Sequence, residues 1–354
     1  MGPPDSGSNA IRRWNRPCPT DARNAMLTAS RLPFDEKFEI QINSFLPVEG
    51  NHFFNEPDYF KLHSRSDNDC HLQLVRRVDN RVYATLAFHE VADRVYASPG
   101  RGTFGGPSLT GELELLAVER FLTTAVQHLR HRGAEVIRIR CAPASHDGAL
   151  FAINFNALAR QGFQPLAPEI NYDLRVDGRS FIERVAYGNV KRIRKAVREG
   201  FVCECVDHAL LPEVHQLIAS NRARLGVEVS MSLDQLRELA EHFPKRLQLF
   251  ATYRDGGRQA MVAAAVCLGL APGVLYVLYW GDVEDMRSYS PVALLAAVIY
   301  KFCVEQGFSL LDAGISTLQG EPNHGLVNFK RNLGFTESLK LEMVWSVEPG
   351  KEGN

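Results

Sequence analysis

Two hydrophobic periods alternate along the chain from residue 37 onward. Short alternating or continuous apolar stretches rich in Val, Ile, Leu, Tyr and Phe predict strands at residues 37–42, 72–77, 82–89, 94–97, 134–141 and 172–176. Helical spacing takes over at 53–62, at 111–130 and in a segment stopped by Gly162; in 111–130, residues Leu115, Val118, Leu122, Ala125 and Leu129 fall on one predicted buried face. A second series follows, with helices at 181–199, 211–225 and 233–242, then strands at 247–253, 259–270 and 274–280. A helix at 291–305, a strand at 308–312, a helix at 323–332 and a closing strand at 335–347 complete it.

The two series echo each other in order. Ala157-Leu-Ala-Arg-Gln-Gly-Phe163 repeats the helix end, glycine stop and aromatic strand opening of Phe329-Lys-Arg-Asn-Leu-Gly-Phe335. His71-Leu-Gln-Leu74 answers Arg246-Leu-Gln-Leu249, the turn at Asp79-Asn80 answers Asp255-Gly256-Gly257, and Arg132-Gly133 answers Gln306-Gly307. Ordered matches at a shift of roughly 170 to 180 residues are what an internal duplication predicts. A length of 354 residues also exceeds what one hydrophobic core usually serves. The expected organisation is a disordered extension over 1–30, domains at 31–178 and 179–347, and a loose tail over 348–354. The fold class is α/β of the α+β type, each domain a mixed, mostly antiparallel twisted sheet flanked by helices.

Composition narrows the partners. A net charge of −1 argues against a surface built throughout for nucleic acid or acidic lipid, though local stripes stay open. The strongest apolar run, residues 260–270, is too short to span a bilayer and contains Gly269, so a cytosolic location is expected, with peripheral contact to the inner membrane face left open. Seven cysteines without paired ligand spacing, the nearest approach being Cys203-Glu-Cys205, predict reduced, mostly buried thiols and no metal site. The first thirty residues carry Pro3, Pro4, Pro17 and Pro19 without periodicity, and Met26 is a candidate translation start.

Four tracts carry a family resemblance: Asn189-Val-Lys-Arg-Ile-Arg-Lys-Ala196, residues 276–281, Leu311-Asp-Ala-Gly314 and Gly325-Leu-Val-Asn-Phe-Lys-Arg-Asn-Leu-Gly-Phe335. Together they resemble the GNAT fold duplicated in tandem, as in the Fem-type aminoacyltransferases and related bacterial envelope N-acyltransferases, over roughly residues 35–347. The resemblance implies acyl transfer to an amine where two neighbouring parallel strands splay apart, here 274–280 and 308–312. Coenzyme-A-dependent members often place a tyrosine four positions before the helix-ending glycine, and Lys330 stands there relative to Gly334. The glycine-rich pyrophosphate loop is also missing, because Gly281-Asp-Val-Glu-Asp-Met-Arg-Ser-Tyr-Ser290 adds no further glycine and carries Asp282, Glu284 and Asp285. Donor identity, aminoacyl-tRNA or acyl-CoA, stays undecided, with no tightly bound cofactor expected.

Acyl transfer needs donors for the developing oxyanion, an acceptor for the amine proton and a proton source for the leaving group. The catalytic candidates are Asp312, Lys330 and Tyr279. Substrate-binding candidates are Trp280, Ser316, Glu321 and Asn323, with Phe104 and Gly105 in the glycine loop Gly100-Arg-Gly-Thr-Phe-Gly-Gly106. Helical phasing of 181–199 puts Arg184, Lys191, Lys195 and Arg198 on one stripe, opposite Ile182, Ala186, Ile193 and Val197, where phosphates of a transfer RNA or a lipid-linked precursor could be held. Three functions stay open: transfer of an acyl or aminoacyl group to an amine of a cell-envelope saccharide or peptide precursor; acetyl-CoA-dependent N-acetylation of an amino sugar or small amine; and a duplicated GNAT scaffold that binds a saccharide or phosphate ligand without catalysis. Oligomeric state is unspecified.

Overall fold

A computed structural model describes residues 25–254 and 261–347. The 1–24 part of the expected extension, the Asp255-Gly256-Gly257 turn, Cys18 and the tail beyond Val347 lie outside the described residues.

The first series forms β1 (Ser30–Pro33), β2 (Phe38–Ile42), helix α1 (Pro57–His63), β3 (Cys70–Arg76), β4 (Val82–Ala92), β5 (Val95–Ser98), β6 (Ser108–Leu109), helix α2 (Leu115–His131), β7 (Val136–Arg140), helix α3 (Gly148–Arg160) and β8 (Gln164–Arg175). The second forms helix α4 (Tyr187–Arg198), β9 (Val202–Val206), helices α5 (Leu211–Arg224) and α6 (Leu233–His242), β10 (Leu247–Tyr253), β11 (Met261–Ala271), β12 (Val274–Asp282), helix α7 (Pro291–Glu305), β13 (Leu310–Ile315), the small ladder β14 (Thr317–Leu318) with β15 (Glu321–Pro322), helix α8 (His324–Asn332) and β16 (Thr336–Ser346). The fold is a mixed α/β architecture with a mostly antiparallel sheet flanked by helices, as expected.

Helix α2 starts at Leu115, later than the predicted 111, and Leu115 itself is 59% exposed. Val118, Leu122, Ala125 and Leu129 are buried as the spacing requires. Helices α3 and α8 share one construction. Asp147 and Asn323 cap them by accepting from Leu150 N and Leu326 N, and Gly162 and Gly334 end them in the left-handed region, at φ of 86° and 85°.

The sheet is continuous through both series, in the order β1-β2-β3-β4-β5-β7-β16-β8-β13-β12-β11-β10-β9, with β6 on β4. Among the described residues, only the strand pairs β5–β7 and β12–β13 run parallel. The last strand of each series crosses over: β16 pairs with β7 of the first series, β8 pairs with β13 of the second, and the two exchanged strands pair with each other. Three cores result. One lies under α2 and α3, and one under α4 and α7. The third combines Phe53, Phe54, Tyr59 and Phe104 of the first series with Leu249, Val266 and Tyr279 of the second beneath α5 and α6. Burial of apolar surface thereby ties the two halves together, beyond the strand exchange itself.

The candidate active site

Strands β12 and β13 pair at Val274 with Leu310, Leu275 with Leu311 and Tyr276 with Asp312, and then part. Past Asp312 the ladder to β8 becomes irregular and resumes at Ile315 opposite Asn171. The seam expected from the resemblance therefore opens at Tyr276 and Asp312. Leu311 and Ala313 belong to the core under α7, so alternation points Asp312 to the other face, toward the joint core.

Asp312 is wholly buried and fully engaged. Its Oδ2 lies 2.7 Å from His146 Nε2, and its Oδ1 accepts from Asn171 Nδ2 at 2.9 Å and from Gly314 N at 2.7 Å. Burial pushes the carboxyl up, but the His146 contact and charge, with the Gly314 and Asn171 bonds, outweigh it and hold the group below its ordinary value. Beside it, opposite in register on β8, Asp173 is moved the other way: burial raises it, the Ser145 and Ser338 hydroxyls oppose the rise, and the Asp312 charge adds to it. Two neighbouring carboxyls driven apart in this way are characteristic of sites that handle protons.

Lys330 approaches from α8 on the opposite face. Only 2% exposed, it donates from Nζ to Gly314 O at 2.9 Å and Ile315 O at 2.8 Å. Burial lowers its ammonium to about 7, against the resisting charge of Asp312. Lys340 on β16 stands across from Glu169, with its Nζ 5.6 Å from the Phe104 ring centre, and burial lowers it to about 8. Burial and the Asp312 charge both raise the Tyr276 phenol.

The other expected site residues have varied placements. An extra residue in β12, opposite the register shift between Val266 and Cys267, puts Tyr279 on the joint-core face. There it bonds Ser230 and takes the Arg222 guanidinium 5.0 Å over its ring. Trp280 faces the other side, edge-on to Phe329 and Phe335. Ser316 is buried, and its hydroxyl has no partner among the described residues; its backbone bonds Ile170 and Asn323. Glu321 is exposed on the β14–β15 ladder, and Asn323 is the α8 cap. Phe104 is buried between the halves, with its ring centre 5.0 Å from that of His146 and 6.5 Å from that of Tyr276. Gly105 instead closes the first half's own seam by bridging to Cys141.

The predicted helix over 181–199 is interrupted. Residues 181–183 form a single 3-10 turn, and α4 begins at Tyr187, because Ala186 N and Asn189 Nδ2 are pinned to Asn332 O beside Gly334. This changes the phase. Val190, Ile193 and Ala196 face inward, whereas Ala186 and Val197 are exposed. Arg184 leaves the stripe and pairs with Asp177, and the outward cations are Lys191, Arg192, Arg194 and Arg198, with Lys195 half-buried over Tyr289.

Sequence reasoning missed His146, Asn171, Asp173, Tyr276 and Lys340. Only His146 left a local mark, directly before the capping Asp147 in a strand-to-helix loop. The six described cysteines are free, and among the described residues no cluster of His, Cys, Asp or Glu could hold a metal and no helix is long and apolar enough to cross a membrane.

No curated protein sequence matches the chain. Residues 186–331 match the family model described as acetyltransferase (GNAT) domain. Among solved structures, FemX superposes with a TM-score of 0.61 at 14% identity, over 81% of this chain and 89% of that one. A conserved protein of unknown function from Bacteroides thetaiotaomicron superposes with a TM-score of 0.52 at 10% identity, over 83% and 90%. The stretch that matches the GNAT acetyltransferase domain spans the β12–β13 seam, and the chain as a whole shares its fold with FemX.

Proposed function

We propose that the protein transfers an acyl or aminoacyl group to an amine of a cell-envelope saccharide or peptide precursor, by direct attack of the amine on the activated carbonyl at the β12–β13 seam. The observation that carries this reading is the seam itself. A buried, ionised Asp312 lies on one face of β13, and a buried Lys330 whose ammonium titrates near neutrality lies on the other. Two faces suit two reactants: the amine enters on the Asp312 side, and the donor's leaving group departs toward Lys330, which supplies positive charge and a proton.

A donor other than a coenzyme A thioester is favoured by the segment ahead of α7. That stretch is a 3-10 turn over Glu284–Tyr289 with Glu284 and Asp285 in its first turn, and the residue capping α7, Ser290, makes no side-chain cap bond. A pyrophosphate would meet carboxylates there instead of a glycine cradle. A thermal-shift series with acetyl-coenzyme A and with aminoacyl-tRNA tests the donor. Stabilisation by aminoacyl-tRNA alone is expected, and a clear rise in melting temperature with acetyl-coenzyme A would refute the donor assignment. Asp312→Ala and Lys330→Ala are each expected to lower turnover by about ten- to a thousand-fold. Loss of ligand affinity alone, with turnover absent from the wild type, would favour a binding scaffold.

A further inference from the structure

We propose that His146, contributed by the first half, accepts the amine proton in the reaction of the second half, with Asp312 as its positioning residue. The role rests on the acyl-transfer reading above and adds to it the group that acts as base.

Three observations converge on this ring. Its Nε2 lies 2.7 Å from a carboxylate that is itself fixed by Asn171 and the Gly314 amide, so both the ring's orientation and the nitrogen that bears hydrogen toward Asp312 are set. The other nitrogen, Nδ1, is buried with no hydrogen-bond partner among the described residues. An unpartnered polar atom in a dry site is costly unless something arrives to use it. The ring also stands at the open end of the seam, edge-on to Phe104 and next to the half-buried Tyr276 and Lys340, on the face opposite Lys330. Asp312, fully engaged by three donors and wholly buried, has little capacity left to meet a substrate directly, whereas His146 has a free lone-pair position beside it.

The strand exchange is what brings this histidine into place. The loop from β7 to α3 is tied to β16 through Cys141 N and Ala144 N, which donate to Leu341 O and Leu339 O, and through the Ser145–Ser338 hydroxyl contact. β16 in turn lies beside β8, whose Asn171 and Asp173 flank Asp312.

The step balances as follows. The amine nitrogen forms a bond to the donor carbonyl carbon, and the bond from that carbon to the leaving oxygen or sulfur breaks. The amine proton passes to His146 Nδ1, and the leaving atom takes a proton from the Lys330 ammonium. Water then removes the proton from His146 and restores one to Lys330.

The test uses the full-length protein with bulk aminoacyl-tRNA as donor and benzylamine as acceptor, following amide formation by mass spectrometry. His146→Ala and His146→Gln are each expected to lower the amide rate by about a hundred- to ten-thousand-fold. Glutamine keeps a donor toward Asp312, which guards against a merely unpaired buried carboxylate. Imidazole added to the medium is expected to restore His146→Ala in a saturable way and to leave His146→Gln unrestored. Either variant within two-fold of the wild type, or a folded His146→Ala that imidazole does not restore, would overturn the role. A wild-type protein that makes no amide above the buffer rate would sink the acyl-transfer reading and this role with it.

Discussion

Lys330→Met probes the donor side of the seam through stability. In the folded protein the ammonium titrates at about 7, against 10.5 for a free lysine, because burial disfavours the charge more than Asp312 supports it. Between those values the unfolded chain binds a proton that the folded chain has released. Wild-type stability therefore gains a contribution as pH rises from about 7, fully present above the unfolded value and lost as pH falls back through about 7. The slope is at most about 1.4 kcal/mol per pH unit, or about 2 kcal/mol between pH 7.5 and pH 9. Methionine removes the titration and leaves Gly314 O and Ile315 O without their donor, a cost of about 1–3 kcal/mol that does not vary with pH. Guanidinium unfolding of both proteins across this range isolates the effect, because Lys340 and every other titrating group is common to the pair. The wild type is expected to pull ahead of the variant steadily with pH. A difference that stays flat over the range would refute a buried Lys330 ammonium that titrates near 7, and with it the readily released proton assigned to the leaving group.

Three further outcomes follow from the packing and the charge stripe. Phe104→Ala is expected to destabilise by about 3–5 kcal/mol in chemical unfolding, because the ring is buried among His52, Phe54, His146 and Tyr276; a loss below about 1 kcal/mol would show that the junction collapses around the gap. Arg194→Glu with Arg198→Glu is expected to weaken a labelled RNA oligonucleotide in fluorescence anisotropy and to reduce its salt slope by about 2, leaving the melting temperature unchanged. Arg184→Glu, which breaks the pair with Asp177, is expected to lower the melting temperature and leave that binding intact.

Periodicity located nearly every element, because each reports its own burial: β10, β12, α5, α6 and α7 lie where spacing put them. The splayed pair came from the family resemblance, laid onto two apolar strands separated by a crossover helix. Partner identity was not. Nothing in the residues of β16 states that it lies between β7 and β8, since alternation fixes which face a strand buries but not which strand it pairs with. His146, Asn171 and Asp173 stayed hidden for that reason, as first-half residues that reach Asp312 only through the exchange. The basic stripe was misphased by a related blindness. A backbone contact to Asn332, far along the chain, delays the start of α4 and swaps Arg184 for Arg194.

The halves differ most where they were expected to correspond. After the last pair of β5 and β7, Ser98 with Ile139, the first half's seam is filled by its own loop: Gly105 bridges to Cys141 and donates to Arg140 O at 2.6 Å. After Tyr276 and Asp312 the second half's strands part instead, and the proposed reaction uses that open seam. The plug depends on backbone approach. A β-carbon on Gly105 would lie 2.5 Å from Pro99 N and 2.6 Å from Ser98 C, closer than backbone can yield without moving. Gly105→Ala is therefore expected to cost about 1–3 kcal/mol in chemical unfolding. The displacement would pass to Phe104, the neighbouring ring that lies against both His146 and Tyr276. Turnover should accordingly fall although the substituted residue touches no reactant. A variant with unchanged stability and unchanged turnover would show that the loop is a spacer and that Phe104 is held from elsewhere.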